Sequence, residues 1–170
     1  MNKIISVIPV ILAGGSGVRL WPASNKRHPK QFSKIIGKQS PFQDCVNRFQ
    51  FKSTINFTDP IVMTNNEYEF IVADQLAELG VKPISIIIEP EVRDTASAIL
   101  AASIYAKKLD PEAIVIIAPS DHLIPDEDAF NASVIEGLRF INDKKIITFG
   151  AIPDRPETGY GYLKFLGDIE

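Results

Sequence analysis

Two segments of this 170-residue chain concentrate groups suited to handling phosphate. The first is Leu12-Ala13-Gly14-Gly15-Ser16-Gly17-Val18-Arg19-Leu20, which follows an apolar run. Glycines after a buried strand let backbone N–H groups approach an anion with no Cβ in the way, although the same residues also make an ordinary turn. The loop is not a P-loop, because Arg19 stands where the second glycine of that motif belongs, and Leu20 replaces the third glycine of a dinucleotide fingerprint. Arg19 offers a planar fork for two phosphate oxygens, and Lys30, in Pro29-Lys30-Gln31-Phe32, offers a compact ammonium on the same excursion. The alternative for each is a solvated surface charge.

Other chemistry is spread along the chain. Asp121 follows an apolar run and suits Mg²⁺, which takes one or two carboxylates with phosphate oxygens and water, though an aspartate there can equally form a turn or a cap. Glu89 closes the run Ile86-Ile87-Ile88, and its carboxylate can accept hydrogen bonds from N1–H and the exocyclic amine of guanine, or simply be a solvated strand end. Arg93 can reach an anion or pair with Glu91. Tyr160, in Glu157-Thr158-Gly159-Tyr160-Gly161-Tyr162, can meet a sugar or pack at a strand start. His28 and His122 receive no role.

These residues need elements to position them. Strands are expected at Ile4 to Ala13, Ile61 to Thr64, Ile84 to Glu89, Ala113 to Ala118 and Lys145 to Phe149, mostly apolar without alternation, as in strands buried on both faces. Helices are expected between them. Ser40 and Gln43 form a capping box with Pro41 at the first helical position, for a helix to about Phe49. Asn65 or Asn66 opens a second helix that Gly80 stops. Asp94 or Thr95 caps a third to Leu109, and Asp126 or Asp128 a fourth through Phe140. The alternation implies an α/β fold with a Rossmann-like, doubly wound, mostly parallel sheet, whose ligands bind beyond the carboxyl ends of the strands. The Gly14 loop, Glu89 and the turn at Asp121 should therefore meet on one edge. Gly159 to Phe165 reads as a turn entering a further strand, so the chain ends as though unfinished.

Composition narrows the partners. The chain is 45% hydrophobic and 23% charged with a net charge of −3, which gives no basic surplus for nucleic acid. The single cysteine, Cys45, excludes an intramolecular disulfide and a cysteine-rich zinc site, and fits a reducing cytoplasm. No apolar stretch approaches the roughly 20 residues that span a bilayer. The expectation is one soluble domain over residues 1–170 with no nucleic acid or membrane partner; a homo-oligomer is left open.

Taken together, Leu12 to Leu20 with Trp21-Pro22 and Pro29-Lys30-Gln31-Phe32, Glu89-Pro90 with Arg93-Asp94-Thr95-Ala96, Ala118-Pro119-Ser120-Asp121-His122, and Arg155-Pro156-Glu157-Thr158-Gly159-Tyr160-Gly161-Tyr162 resemble, in order, the motifs of sugar-nucleotide pyrophosphorylases. The Trp-Pro and Lys-Gln-Phe forms resemble the mannose-1-phosphate guanylyltransferase branch. The resemblance implies transfer of GMP from GTP to mannose 1-phosphate, giving GDP-mannose and pyrophosphate. It also implies that Leu12, Ala13, Gly14, Gly15, Glu89, Arg93 and Thr95 bind nucleotide, Arg19 and Lys30 stabilise phosphate charge, Asp121 holds Mg²⁺, and Tyr160 and Gly161 approach the sugar. Val18, Asp94 and Ser97 depart from the family's usual threonine, asparagine and proline. Similar catalytic domains continue past Glu170 with more of the sugar-phosphate pocket and a second metal-binding aspartate. Three further readings remain: a non-catalytic nucleotide-binding or regulatory module, a truncated gene product with no independent function, and a pyrophosphorylase for another sugar or nucleotide.

Overall fold

The computed structural model describes residues 6–15, 29–34, 37–50, 55–91, 93–142 and 145–164. Arg19 and His28 lie outside these residues. Contacts divide the chain into two compact units, residues 1–132 and 133–170.

The first unit is built on five parallel strands: β1 (Ser6–Leu12), β2 (Asn56–Phe57), β3 (Ile61–Asn65), β4 (Ser85–Glu89) and β5 (Ile114–Pro119). β1 is central. It pairs with β5 from Val7 to Leu12, and along its other edge with β2 at its start and β3 at its end, with β4 beyond β3. Treating β2 and β3 as one interrupted strand, the chain runs outward from β1 through β3 to β4 and then crosses back to add β5 on the far side of β1, so that the first and last strands lie side by side. The crevice between the carboxyl ends of β1 and β5 is therefore the topological switch point, where this class of sheet binds ligands.

Pro9 in the central strand explains the interruption. Thr58 N–H donates to the Val7 carbonyl at 3.0 Å and Ala13 N–H to Met63 at 2.8 Å, so the odd-numbered residues of β1 turn their backbone groups toward β3. Pro9 belongs to that set and has no N–H to give. Opposite it the partner carries one extra residue, the register moving from Val7↔Phe57 to Val10↔Ile61, so the ladder breaks where no donor exists.

Helices cover both faces. α1 (Pro41–Gln50) and α2 (Glu69–Leu79) pack Phe42, Val46, Val72 and Leu76 onto Ile11 and Val62. α3 (Asp94–Leu109) lies on the opposite face, with Ala98, Ala102 and Ala106 against Ile8, Val10, Ile61 and Met63. Alanine at every fourth position gives that helix a flat stripe that approaches the strands closely. α4 (Glu127–Phe140) begins with Asp126 Oδ1 accepting from Ala129 N–H at 2.8 Å. The expected capping box is present in full, since Gln43 N–H donates to Ser40 Oγ at 3.2 Å and Ser40 N–H to Gln43 Oε1 at 3.1 Å. Gly80 ends α2 at φ 68°, ψ 19°, the left-handed cap that glycine favours.

Three expectations are corrected. Residues 145–149 form no strand: in the second unit Ile147 and Phe149 pack on Gly137 of α4, where an added Cβ would come 2.8 Å from Phe149 Cζ. An apolar run needs an open strand edge to become a strand, and this one finds a helix face instead. Residues 160–164 likewise form a turn and coil with no strand; the Tyr162 hydroxyl accepts from Glu157 N–H at 2.7 Å and donates to Glu157 O at 3.1 Å. Third, α3 starts without a side-chain cap: Arg93 holds the cap position, and Asp94 falls inside the first turn with φ 53°. A left-handed aspartate inside the turn is out of place for capping it, and carries strain of about 1–2 kcal/mol.

Candidate active site

The site is a cleft of about 320 Å³ at the switch point. Its lining includes Leu12, Gly14 and Gly15 after β1, Lys30 and Gln31, Glu89 after β4, Asp94 and Thr95 at the start of α3, and Ser120 and Asp121 after β5. Four sequence-distant segments meet there. Ser120 N–H donates to the Leu12 carbonyl at 3.1 Å, which ties the turn carrying Asp121 to the glycine loop.

Lys30 reaches the cleft because Phe32 anchors its segment in the core. Lys30–Phe32 form a single short helical turn, and the Phe32 ring lies 5.5 Å from Phe42 and 5.6 Å from Tyr68. The Phe32 carbonyl accepts from Gln75 Nε2 at 2.8 Å, Gln75 Oε1 accepts from Ser40 Oγ–H at 2.6 Å, and Gln43 Nε2 donates to Glu78 at 2.8 Å. This polar chain, buried except at Glu78, joins the Lys30 segment to α1 and α2 with its members paired, which makes it specific rather than costly. The next side chain, Gln31, is buried and donates to the Gly15 carbonyl.

Lys30 Nζ stands 2.6 Å from Asp121 Oδ2, with both side chains about one-third exposed. Behind Asp121, the buried face of α1 supports the turn. Arg48, 3% exposed, donates to the His122 carbonyl at 3.4 Å and lies over the Phe130 ring at 5.4 Å, while the Cys45 thiol faces the Pro119 carbonyl at 3.8 Å. Burial pushes the Cys45 thiol up to about 11, against the neighbouring Arg48 charge that favours the thiolate.

Glu89 closes the cleft on the β4 side. Its Oε2 lies where a Cβ on Gly14 would come within 3.0 Å, so glycine at 14 is what lets the carboxylate lie against the loop. Burial raises the Glu89 carboxyl above the ordinary glutamate range. Thr95 lines the cleft, whereas Arg93 turns to Glu91 with contacts of 2.9 and 2.6 Å and is exposed. Of its two expected roles the structure shows the ion pair. Ala13 is buried and its amide is committed to the Met63 carbonyl, so the loop amides that can face the cleft start at Gly14. Tyr160 and Gly161 lie in the second unit, Tyr160 exposed and its amide bonded to Glu157 at 3.2 Å. Thr64, Asn65 and Gln31 escaped the sequence reading, though Thr64 and Asn65 are polar residues closing an apolar strand, which is a usable signal.

As for a metal, the described residues contain no cluster of three or more His, Cys, Asp or Glu side chains able to enclose one. Carboxylates that line the cleft without forming a shared cage, Asp121 among them, fit Mg²⁺, which shares its shell with phosphate oxygens and water, better than an ion needing an all-protein cage.

A family model described as nucleotidyl transferase matches residues 8–169. The chain belongs to the nucleotidyl transferase family. Among curated relatives, the xanthan biosynthesis protein XanB of Xanthomonas campestris is 44% identical over 158 residues, covering 93% of this chain and 33% of that protein. A mannose-1-phosphate guanylyltransferase of Escherichia coli is 42% identical over 158 residues, 92% of this chain and 32% of that one. The chain thus spans about one-third of the length of these relatives. A Thermus thermophilus structure titled mannose-1-phosphate geranyltransferase superposes with a TM-score of 0.63 at 25% identity, over 78% of this chain and 37% of that one. No described helix is long and apolar enough to cross a membrane.

Proposed function

We propose that this chain supplies the nucleotide-binding portion of a mannose-1-phosphate guanylyltransferase. The observation that carries the reading is the convergence of the glycine loop, Glu89, Lys30 and Asp121 on one cleft at the switch point. A phosphate oxygen of mannose 1-phosphate attacks the α-phosphorus of GTP; the new P–O bond forms as the bond to the β-phosphate breaks, and pyrophosphate leaves. The protein's part is to position the groups and neutralise charge. The Gly14 and Gly15 amides meet phosphate oxygens, Lys30 and Arg19 supply cations, and Glu89 accepts from the guanine edge. Asp121 holds Mg²⁺, which when bound neutralises charge on the phosphates. The sugar identity rests on the guanylyltransferase relatives, and Tyr160 and Gly161 belong to the sugar side of the reading.

The test is pyrophosphate release from GTP, mannose 1-phosphate and Mg²⁺, beside a thermal-shift titration with GTP. Release only with mannose 1-phosphate supports the enzyme, a GTP shift without release supports a nucleotide-binding module, and neither signal overturns the reading. A panel of sugar 1-phosphates and nucleoside triphosphates separates other pyrophosphorylases.

Glu89 gives a pH test. Its raised carboxyl means that the folded chain holds the proton more tightly than the unfolded one. Its contribution to stability is thus full below the unfolded glutamate value and is lost as pH rises through the folded one. Guanine recognition runs the other way, because only the ionised carboxylate accepts from both donors. GTP affinity is expected to fall, on acidification, at a pH above the ordinary glutamate range, and Glu89→Gln should remove that step. The same variant should cut the preference for GTP over ITP, which lacks the exocyclic amine, about tenfold. Competition titrations across pH check both, and an unchanged preference would remove Glu89 from base reading.

A further inference from the structure

We infer that Thr64 and Asn65, at the carboxyl end of β3, are positioning residues that aim the glycine-loop amides at the nucleotide phosphates; this rests on the nucleotide reading above. The Thr64 hydroxyl donates to the Ala13 carbonyl at 3.2 Å, and Asn65 Nδ2 donates to the Gly14 carbonyl at 3.1 Å. In a trans peptide the C=O and the following N–H point in opposite directions. Drawing the Ala13 and Gly14 carbonyls toward β3 therefore turns the Gly14 and Gly15 N–H groups away from it, and both glycines line the cleft. Two consecutive amides are set by two consecutive side chains.

Glycine makes such a clamp necessary. With no Cβ the loop samples backbone conformations of either φ sign, so a fixed amide direction has to be imposed from outside. Thr64 is fully buried, which gives its short side chain a single environment, and Asn65 is fixed at both ends of its carboxamide. Its Oδ1 accepts from Glu67 N–H at 2.9 Å and Tyr68 N–H at 3.2 Å, forming the turn into α2, while its Nδ2 holds Gly14. Asn65 also pairs in register with Glu89 across the β3–β4 ladder, so the clamp and the base-reading carboxylate share one strand edge.

The experiment compares GTP with guanosine, which keeps the base and lacks the phosphates. Thr64→Val is isosteric, uncharged and without the donor; Thr64→Ser keeps it. Asn65→Asp keeps the oxygen that forms the turn and replaces the donor with a second acceptor facing Gly14 O. Thr64→Val and Asn65→Asp should weaken GTP about tenfold while leaving guanosine within about twofold, and Thr64→Ser should retain the wild-type ratio. The Gly14 and Gly15 amide signals of the free protein should move in Thr64→Val and not in Thr64→Ser. Equal losses for GTP and guanosine, or GTP affinity unchanged in Thr64→Val, would overturn the clamp while leaving the nucleotide reading intact. A wild-type chain that binds neither ligand overturns that reading, and the clamp with it.

Discussion

On the proposed guanylyltransferase reading, Lys30→Ala is expected to lower GTP-dependent turnover by about 10²–10³-fold, the usual cost of removing one preorganised charge donor, with little change in melting temperature. The cation is at the mouth of its segment, one-third exposed, and the fold is held by its neighbour Phe32 and not by the ammonium. Its contribution is electrostatic. Lys30 stands 2.6 Å from Asp121, so the variant also leaves that carboxylate without the cation and adds its repulsion to the lost attraction. The two losses can be separated. In buffer without divalent ions, Lys30→Ala with Asp121→Asn should bind GTP better than Lys30→Ala alone, because the second change removes the repelling charge. With Mg²⁺ added, every variant carrying Asp121→Asn should lose the metal's enhancement. The coupling from this double-mutant cycle is the measurement; independent, additive effects would argue that the two side chains serve different sites.

The second large effect is on stability. Phe32→Ala should destabilise the chain by about 3–5 kcal/mol, the range for an aromatic removed from a packed core, which is a large part of what an ordinary domain has in reserve. Phe32 is 3% exposed between Phe42 and Tyr68, and its carbonyl is one end of the Gln75 and Ser40 chain. Collapse around the missing ring would disturb the hydrogen bonds of the buried Gln75 and Ser40 side chains. Phe32→Leu should recover much of the loss, since it refills most of the volume. Denaturant midpoints at constant slope provide the reading, and a loss below about 1 kcal/mol for Phe32→Ala would mean that the segment is not anchored as described.

What could be read from residue types was largely what is decided locally. Ser40, Pro41 and Gln43 form their box within four residues, and Gly80 meets a backbone requirement that it satisfies alone. The parallel strands were legible because apolar runs buried on both faces leave few other arrangements. From them followed the edge where Gly14, Glu89 and Asp121 meet, although Pro9 and the break between β2 and β3 were not foreseen. Neither could be, because the break depends on which neighbour faces the missing N–H. Gln31, Thr64 and Asn65 were missed for a related reason. Their partners are carbonyl oxygens 16 and 51 residues away, and a backbone acceptor leaves no mark in residue type. The apolar run near Phe149 misled in the other direction, having a strand's composition without a strand edge to join.

Cys45 turns the core into a clock. It is the single cysteine in 170 residues, fully buried on α1, and burial holds its thiol at about 11. A thiol reagent at neutral pH therefore meets almost no thiolate in the closed protein and reacts only when α1 lifts from the sheet. The modification rate becomes the equilibrium constant for that opening multiplied by the rate for a free cysteine, read as one exponential from one atom. Because α1 also supports the turn that carries Asp121, any molecule that binds the cleft only in the closed form should slow the labelling by the factor 1 + [L]/Kd. Occupancy of the site can thus be timed from the opposite side of the turn, without catalysis and without a label on the ligand.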